Sequence, residues 1–334
     1  MDFTSVDING KELNKIKSIR KADIEIGVTN TFELTFSSDE WKHNNTLNNM
    51  YYFFEEQTEV GGIIKSIKSI TKKKQVIAGG YTWRGYLDKR ILEPPAGLSH
   101  KEVSGEVHSI IRGLIDGLYN GLIKGSKEVS KFTVTNYRFS RYCTILEGIE
   151  DMLESVGARL VIRYIPTHFE GNVRIKGYVE VSATATRDLS KKVEFSESGR
   201  IHMVATSDDT GVNHLVCLGK GELTNRLIVH LYADKDGNIG RTQKLFGINE
   251  IAETYDYSNI ENEDEMIKEG TKKLKEIRSK KKIEVAPDDI NVDIGDVVGG
   301  QEEITGLSIS KKITRIIYKI DTNGQYSKEY KVGD

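Results

Sequence analysis

Apolar and polar residues alternate in short runs over the first 95 residues of the chain. Residues 22–26 and 32–36 alternate around a turn at 28–30, which predicts a β-hairpin. Three further strands are predicted at 51–60, 62–70 and 74–87. Pro94 and Pro95 end the pattern, because proline cannot donate a hydrogen bond to a sheet. Five or more strands in this length predict a small β-barrel or β-sandwich over residues 1–95.

After residue 95 the period of the apolar residues becomes helical. One apolar face holds the residues at positions 107, 110, 111, 114, 115 and 118. Ser104 is the predicted N-cap of this helix, with Glu106 in its first turn.

A second helix is predicted over residues 145–156. Thr144 and Glu147 fit a capping box at its start, and Gly157 is the predicted C′ residue at its end. Strands follow at 159–165 and 173–181. The prediction for residues 96–200 is therefore a mixed α+β domain.

From residue 201 the β pattern returns. Strands are predicted at 214–218 and 226–232, and a hairpin turn at 234–238 contains the favourable Asp-Gly pair. After Phe246 the chain becomes acidic and then helical, with acidic residues first and Lys280–Lys282 last, as the helix dipole favours. These features predict a helical insertion at 248–283.

The stretch from Ile290 to Lys319 reads as two closing strands, the first of them around residues 292–297. Residues 81–91 resemble the end of this stretch, because both contain a glycine, an alternating run, a basic pair and an isoleucine. This similarity predicts two related barrels, each closing on such a strand. The second would comprise residues 201–247 and 284–334. The predicted fold class is α+β, mainly β, with two tube-like barrels and an α+β domain between them.

Composition narrows the functional classes. The 334 residues are 37% hydrophobic and 29% charged, with a formal net charge of −2, which argues against a nucleic-acid-binding role. No apolar run reaches the roughly 18–20 residues that span a bilayer, and the N-terminus lacks the apolar core of a signal peptide. Synthesis in a bacterial cytoplasm is expected, without membrane insertion, and release would follow another route such as lysis.

The candidate chemical sites are weak. Cys143 lies beside a predicted helix start and could be paired with His168 as nucleophile and base, but a free cysteine is more often a small buried apolar group. Residues 234–238 resemble the start of a calcium loop, yet the twelfth position is Leu245 rather than a carboxylate. The seven histidines show no zinc-site spacing. We therefore predict no catalytic residue, no cofactor and no metal site, although carboxylates are too numerous to exclude a glycosidase pair.

One apolar feature suggests assembly. Tyr51–Phe54 is a run of four aromatic residues, and Trp83 is a further large aromatic. In a strand, alternate side chains point to opposite faces, so only half of the run can face one barrel core. The other half is expected to form a subunit or domain contact.

Longer strings carry a resemblance to a known family. They are Thr82–Gly85 with Glu93–Gly97, Asn213–Leu223, Val229–Asp234, and Gly295–Gly300 with Ile304–Gly306. With them, nearly the whole chain resembles the baseplate hub proteins of contractile phage tails and phage-tail-like bacteriocins, of the type found in PBSX-like prophages and related to the hub part of VgrG-like spike proteins.

The resemblance implies a structural protein rather than an enzyme. It implies a homotrimer whose six barrels form a pseudo-sixfold ring, joining the sixfold tail tube to a central spike. The implied partners are the tail tube protein, the spike protein, other baseplate proteins and the tape measure protein, and the implied location is the baseplate of a virion or tail-like particle. The alternative is a peptidoglycan hydrolase carried on the tail tip.

Overall fold

The computed structural model describes residues 2–43, 47–190, 194–195, 202–278, 280–286, 292–301 and 308–333. These residues form two compact units. The first contains Met1–Leu189, Ala286–Val297 and Ile313–Tyr330. The second contains Ser190–Val285, Val298–Lys312 and Lys331–Asp334. The chain therefore leaves the first unit and returns to it twice.

Strands make up most of the regular structure. In chain order they are β1 (Thr4–Val6), β2 (Glu12–Lys15), β3 (Lys21–Ile26), β4 (Thr31–Ser37), β5 (Tyr52–Phe54), β6 (Gly61–Ile70), β7 (Gln75–Thr82), β8 (Glu102–Glu106), β9 (Ile123–Gly125), β10 (Thr133–Arg138), β11 (Ala158–Ile165), β12 (His168–Glu170), β13 (Val173–Ile175), β14 (Tyr178–Ala185), β15 (Glu194–Phe195), β16 (His202–Asp208), β17 (His214–Leu218), β18 (Ile228–Ala233), β19 (Ile239–Gly240), β20 (Ala252–Asp256), β21 (Lys280–Ala286), β22 (Val297–Gln301), β23 (Ser308–Ile320) and β24 (Tyr326–Val332). The helices are α1 (Ser38–His43), α2 (Trp83–Asp88), α3 (Val107–Ile115), α4 (Ile145–Glu154) and α5 (Glu263–Ile277). The predicted class, mainly β with few helices, is confirmed.

An antiparallel sheet organises the first unit. Within the first unit its strands follow the order β24-β23-β3-β4-β7-β6-β5-β1-β2. The predicted hairpin is β3–β4, in which Ala22 pairs with Leu34. In the loop, the side chain of Asn30 accepts a hydrogen bond from the N–H of Gly27 at 2.8 Å. Among the described strands, β2 pairs only with β1, so the sheet does not close into the predicted barrel in the part of the chain that the structure describes.

An α+β layer covers the outer side of β5 within the same unit. It consists of the sheet β11-β14-β9 with helices α3 and α4. Tyr52 and Phe54 of β5 belong to the core of this layer, together with residues of α3, α4 and β11. Phe53, between them, belongs to the core of the antiparallel sheet. The strand is thus buried on both faces, and segments 1–95 and 96–189 form one compact unit.

The strand predicted over residues 74–87 is wrong from Trp83 onward. Strand β7 ends at Thr82, and helix α2 follows at once, with the Thr82 hydroxyl accepting from the N–H of Gly85. Trp83 and Leu87 are fully buried by this turn of the chain. Because this segment is a helix, its similarity to the end of β23 does not identify a second closing strand.

Helix α3 begins differently from the prediction. Ser104 lies in β8, and the N-cap is Glu106, whose carboxylate accepts from the N–H groups of His108 and Ser109, both at 2.8 Å. A third N–H, that of Ser130, donates to the same carboxylate at 2.9 Å. Burial alone would raise the pKa of Glu106, but the hydrogen bonds from Ser130, His108 and Ser109 outweigh it and lower the pKa to about 2.

Glu106→Ala should destabilise the first unit by about 1–2 kcal/mol, because three N–H groups lose their acceptor. The folded-state pKa of Glu106 lies below its unfolded value, so the stabilisation is complete above the unfolded value and is lost as pH falls towards 2. The difference in unfolding free energy between wild type and Glu106→Ala should therefore shrink below about pH 4. Urea unfolding followed by circular dichroism at pH 7 and pH 3.5 measures it, and a pH-independent difference would contradict this role.

Helix α4 agrees with the prediction. The hydroxyl of Thr144 accepts from the N–H of Glu147 at 3.1 Å, and the Glu147 carboxylate accepts from the N–H of Thr144 at 3.0 Å. Gly157 lies just beyond the helix with φ +69°, a conformation that favours glycine. The signals that set this helix are all local in the sequence.

A buried ion-pair network links α2 to the rest of the first unit. Arg84 is 1% exposed. Its Nε and Nη2 atoms meet the two carboxylate oxygens of Glu59 at 2.7 and 3.0 Å, and its Nη1 atom meets Glu150 at 2.5 Å. The side chains of Glu59 and Glu150 are 16% and 41% exposed, so the arginine has the most buried charge of the three.

The segment after residue 291 is a turn rather than the predicted strand. Gly295 has φ +90°, and β22 begins only at Val297. Asp296 is fully buried and forms ion pairs with Arg187 and with Arg159, whose Nε lies 3.0 Å from Oδ1. Burying a carboxylate costs stability unless it is paired, so the two arginines hold this turn in place.

The second unit contains a small α/β layer. Its sheet has the order β19-β18-β17-β20, with β20 parallel to β17, and α5 packs on it through Met266 and Leu274. The predicted turn at 234–238 joins β18 to β19, as expected. The domain boundary predicted at 247/248 falls between strands of this one sheet.

Helix α5 ends at Ile277, before the lysines that were expected to finish it, and Lys280–Lys282 begin β21. Residues 302–307, which belong to the predicted closing strands, lie outside the residues that the structure describes.

Candidate functional site

The aromatic run is buried on both faces of β5 within a single chain. Tyr52, Phe53 and Phe54 are 6%, 0% and 1% exposed, and Trp83 is 0% exposed. Phe53 packs edge-on against Phe32, with ring centroids 4.8 Å apart. The second face of the run therefore contacts the segment predicted as the α+β domain, which agrees with the domain alternative of the prediction rather than with a subunit contact.

The two cysteine side chains are buried in apolar cores. Cys143 is buried in the core of the α+β layer, beside Gly148 of α4. His168 lies with Nδ1 3.0 Å from the carbonyl oxygen of Pro166. Cys217 is buried under α5, and burial raises its pKa to about 11, so the thiol is protonated at neutral pH. Neither cysteine has the exposed, electropositive surroundings of a nucleophile.

The turn at 234–238 uses its first carboxylate on its own backbone. Oδ1 of Asp234 accepts from the N–H groups of Asp236 and Asn238, both at 2.9 Å. Across the described ranges, no group of three or more His, Cys, Asp or Glu side chains is arranged to hold a metal ion. None of the helices in those ranges is long and apolar enough to cross a bilayer.

The second unit presents apolar side chains on a short loop, residues 246–251, which we name the apolar loop. Ile248 is 98% exposed, Phe246 is 64% exposed and Ile251 is 37% exposed. Isolated exposed apolar residues are common, but several within six residues form a surface that favours contact with another protein.

Buried polar contacts hold the apolar loop in one conformation. The side-chain amide of Asn213, 9% exposed, donates to the carbonyl oxygen of Asn249 at 2.8 Å and accepts from the N–H of Ile251 at 3.0 Å. Next to it, Nδ1 of His214 lies 2.6 Å from the Glu250 carboxylate. The exposed Phe246 and Ile248 are therefore presented by a fixed backbone, which reduces the entropy cost of binding.

Sequence reasoning missed this loop. Phe246 and Ile248 stand beside the predicted insertion without any alternating or helical pattern. Their neighbours Gly247, Asn249 and Glu250 indicated only a turn. One signal could have indicated it: two large apolar residues stand inside a polar turn. A turn that serves no contact seldom exposes such side chains.

The fold is that of phage tail proteins. The tail protein from Neisseria meningitidis MC58 superposes with a TM-score of 0.55 at 12% identity, over 100% of this chain and 97% of that one. The 43 kDa tail protein of prophage MuSo2 from Shewanella oneidensis superposes with a TM-score of 0.54 at 11% identity, over 99% of this chain and 97% of that one.

The sequence also matches a family model, described as Siphovirus ReqiPepy6 Gp37-like protein, over residues 26–334. The chain belongs to this phage tail family. A search of curated protein sequences gave no match.

Proposed function

We propose that the chain is a structural hub subunit of the baseplate in a contractile phage tail or tail-like particle. Membership of a phage tail family over residues 26–334 carries this proposal. The tail-protein fold, which extends over almost the whole chain, supports it. In this role the chain acts by binding other tail proteins rather than by catalysis, and it resides in the particle.

The proposed assembly is a homotrimer that joins the tail tube to the central spike. Three copies of a chain with two related halves would present six similar surfaces around an axis, which matches a sixfold tube. Other baseplate proteins and the tape measure protein would bind its remaining surfaces. The apolar loop is the surface we assign to contact with the neighbouring subunit, since its exposed Phe246 and Ile248 are held in a fixed conformation.

The test is the mass and outline of the purified full-length protein. A trimer of the 37.6 kDa chain should have about three times that mass by multi-angle light scattering, and electron micrographs should show a ring with a threefold or apparent sixfold outline. A strict monomer at concentrations well above those of assembly would overturn the trimer. Clear lysis of bacterial cell walls in a zymogram would instead favour the hydrolase.

Ile248→Asp in combination with Phe246→Asp should weaken the trimer by at least tenfold, because a charge at a desolvated apolar contact loses its hydration. Stability should change by no more than about 0.5 kcal/mol, since both side chains are exposed in the single chain. Mass photometry over a dilution series measures the effect. Val129→Asp is the control, because Val129 is 82% exposed on the first unit. Unchanged trimer dissociation in the loop variant would place the subunit contact elsewhere.

A further inference from the structure

A groove of about 810 Å³ crosses the first unit, and its wall is strongly positive. The described residues that line it come from segments 8–10, 50–52, 63–65, 86–90, 119–124 and 174–177, and Asp88 is not among them. Six of the lining residues are basic: Lys65, Lys89, Arg90, Lys124, Arg174 and Lys176. No aspartate or glutamate is among the described lining residues. We name this feature the basic groove.

The charge of the basic groove contrasts with that of the whole chain. The sequence has 48 basic and 50 acidic residues, for a net charge of −2. Without the six groove cations it would have 42 basic and 50 acidic residues, for a net charge of −8. Positive charge is therefore concentrated in one concave place on an otherwise acidic molecule, where low-dielectric walls focus its field.

Neutral groups hold most of the groove cations. Lys65 lies 5.8 Å from the ring centre of Tyr86, and Lys124 lies 4.9 Å from that of Tyr178. Arg90 lies 5.8 Å from the ring centre of Tyr119 and also donates to the carbonyl oxygen of Leu118.

Two more groove lysines have direct polar partners. Lys176 donates to the carbonyl oxygen of Asn9 at 3.0 Å. Lys89 has a carboxylate partner, Asp88, at 2.6 Å. Rings and carbonyl groups orient a cation without neutralising it, so the positive field of the groove stays available to a ligand.

Part of the groove lining is apolar, and we name this part the floor. Ile123 is buried there, and Ile63, Leu122 and Met50 also line it. A ligand that fills the groove must therefore offer both negative groups and apolar groups. A volume of this size accommodates a segment of a few residues.

We propose that the basic groove binds an acidic segment of a partner protein, with carboxylates placed on the wall cations and apolar side chains on the floor. Charge complementarity carries the assignment, since the six cations face a ligand space that contains no acid of the lining residues. This inference does not depend on the hub proposal, because any partner with such a segment satisfies it.

A nucleic acid fits the groove less well. Single strands bind by stacking their bases on exposed aromatic faces, whereas the rings of Tyr86 and Tyr119 already have Lys65 and Arg90 over them. Phosphates need no apolar floor, and the acidic remainder of the chain repels a long polyanion.

The test uses the full-length protein and a fluorescein-labelled peptide of ten residues in which glutamate alternates with leucine. Fluorescence anisotropy should show binding in 50 mM NaCl that weakens at least tenfold in 500 mM NaCl. The same peptide with glutamine in place of glutamate should bind at least tenfold more weakly. Equal binding of the two peptides, or no binding of the acidic peptide, would overturn the proposal.

Matched variants locate the binding. Arg174→Glu with Lys176→Glu should weaken peptide binding at least tenfold, because both exposed cations line the groove. Lys72→Glu with Lys73→Glu makes the same charge change on an exposed turn outside the groove, and it should change binding less than twofold. Equal effects of the two variants would show a diffuse charge effect and contradict a groove site.

Two further measurements separate this inference from the alternatives. A labelled ten-nucleotide oligothymidine should bind more weakly than the acidic peptide, and tighter binding would reassign the groove to nucleic acid. Circular dichroism of the Arg174→Glu/Lys176→Glu variant should match wild type, which excludes misfolding as the cause. Its oligomer mass should also match wild type, so that failure of groove binding and failure of trimer assembly are told apart.

Discussion

Arg84→Ala should destabilise the first unit by about 3 kcal/mol. The substitution leaves Glu59, whose side chain is 16% exposed, without its bidentate partner. Removing one member of a buried pair costs about 3–5 kcal/mol, because an uncompensated charge stays buried. The lower end of this range applies, since Glu150 is 41% exposed and water can hydrate it.

The measurement is urea unfolding followed by circular dichroism, combined with hydrogen exchange of peptides from the first unit. Arg138→Ala is the control, because the Arg138–Glu102 pair is 70% and 42% exposed and should contribute less than about 1 kcal/mol. The destabilisation by Arg84→Ala should be smaller at pH 4.5 than at pH 7.5, since burial raises the pKa of Glu150 and protonation neutralises this carboxylate once Arg84 is gone. Equal effects of the two arginine substitutions would show that the network contributes no more than a surface pair.

Trp83→Ala should have the largest effect of any single truncation in the first unit, about 3–5 kcal/mol. The indole is fully buried, with its ring 5.9 Å from that of Tyr52 and 6.1 Å from that of Tyr164. Its removal leaves a cavity between the antiparallel sheet and the α+β layer, and rings packed on two sides cannot easily collapse into it.

Trp83→Phe is the informative comparison. The indole N–H is buried without a hydrogen-bond partner, so phenylalanine loses volume but leaves no polar group unpaired. We expect it to cost less than half as much as Trp83→Ala in urea unfolding followed by circular dichroism. If the two substitutions cost the same, the indole N–H contributes to stability through a contact that packing does not explain.

Elements with local signals were predictable. Helix α4 has its N-cap, its capping box and its apolar face within twelve residues, so sequence pattern alone defines it. The β3–β4 hairpin is similar, since alternation and a short turn specify both its strands and its register.

Helix α2 was not predictable for a physical reason. Trp83, Tyr86 and Leu87 have helical spacing, but six residues are too few to establish a helical period directly after a strand. Such a short helix is unstable alone. Burial of Trp83 and Leu87 against the rest of the unit offsets its nucleation cost, and those partners are distant in sequence.

The surfaces were less predictable than the elements. Alternation in the aromatic run showed that β5 has two faces, but it could not show that a second layer covers the outer one. The basic groove collects its cations from segments more than 100 residues apart, such as Lys65 and Lys176, and each looks like an ordinary surface residue in the sequence. Only tertiary structure brings them together.

The pairing of β23 with β3 sets an order of events during translation. Residues 22–26 leave the ribosome long before their partners, residues 316–320. At about 5–20 residues per second, the nascent chain waits roughly 15–60 s for that neighbour. Throughout this interval one edge of the N-terminal hairpin offers unpaired backbone groups to any other strand, including the same segment on an adjacent polysome-bound chain. A chaperone that covers this strand edge during the interval would therefore protect the nascent chain from such pairing.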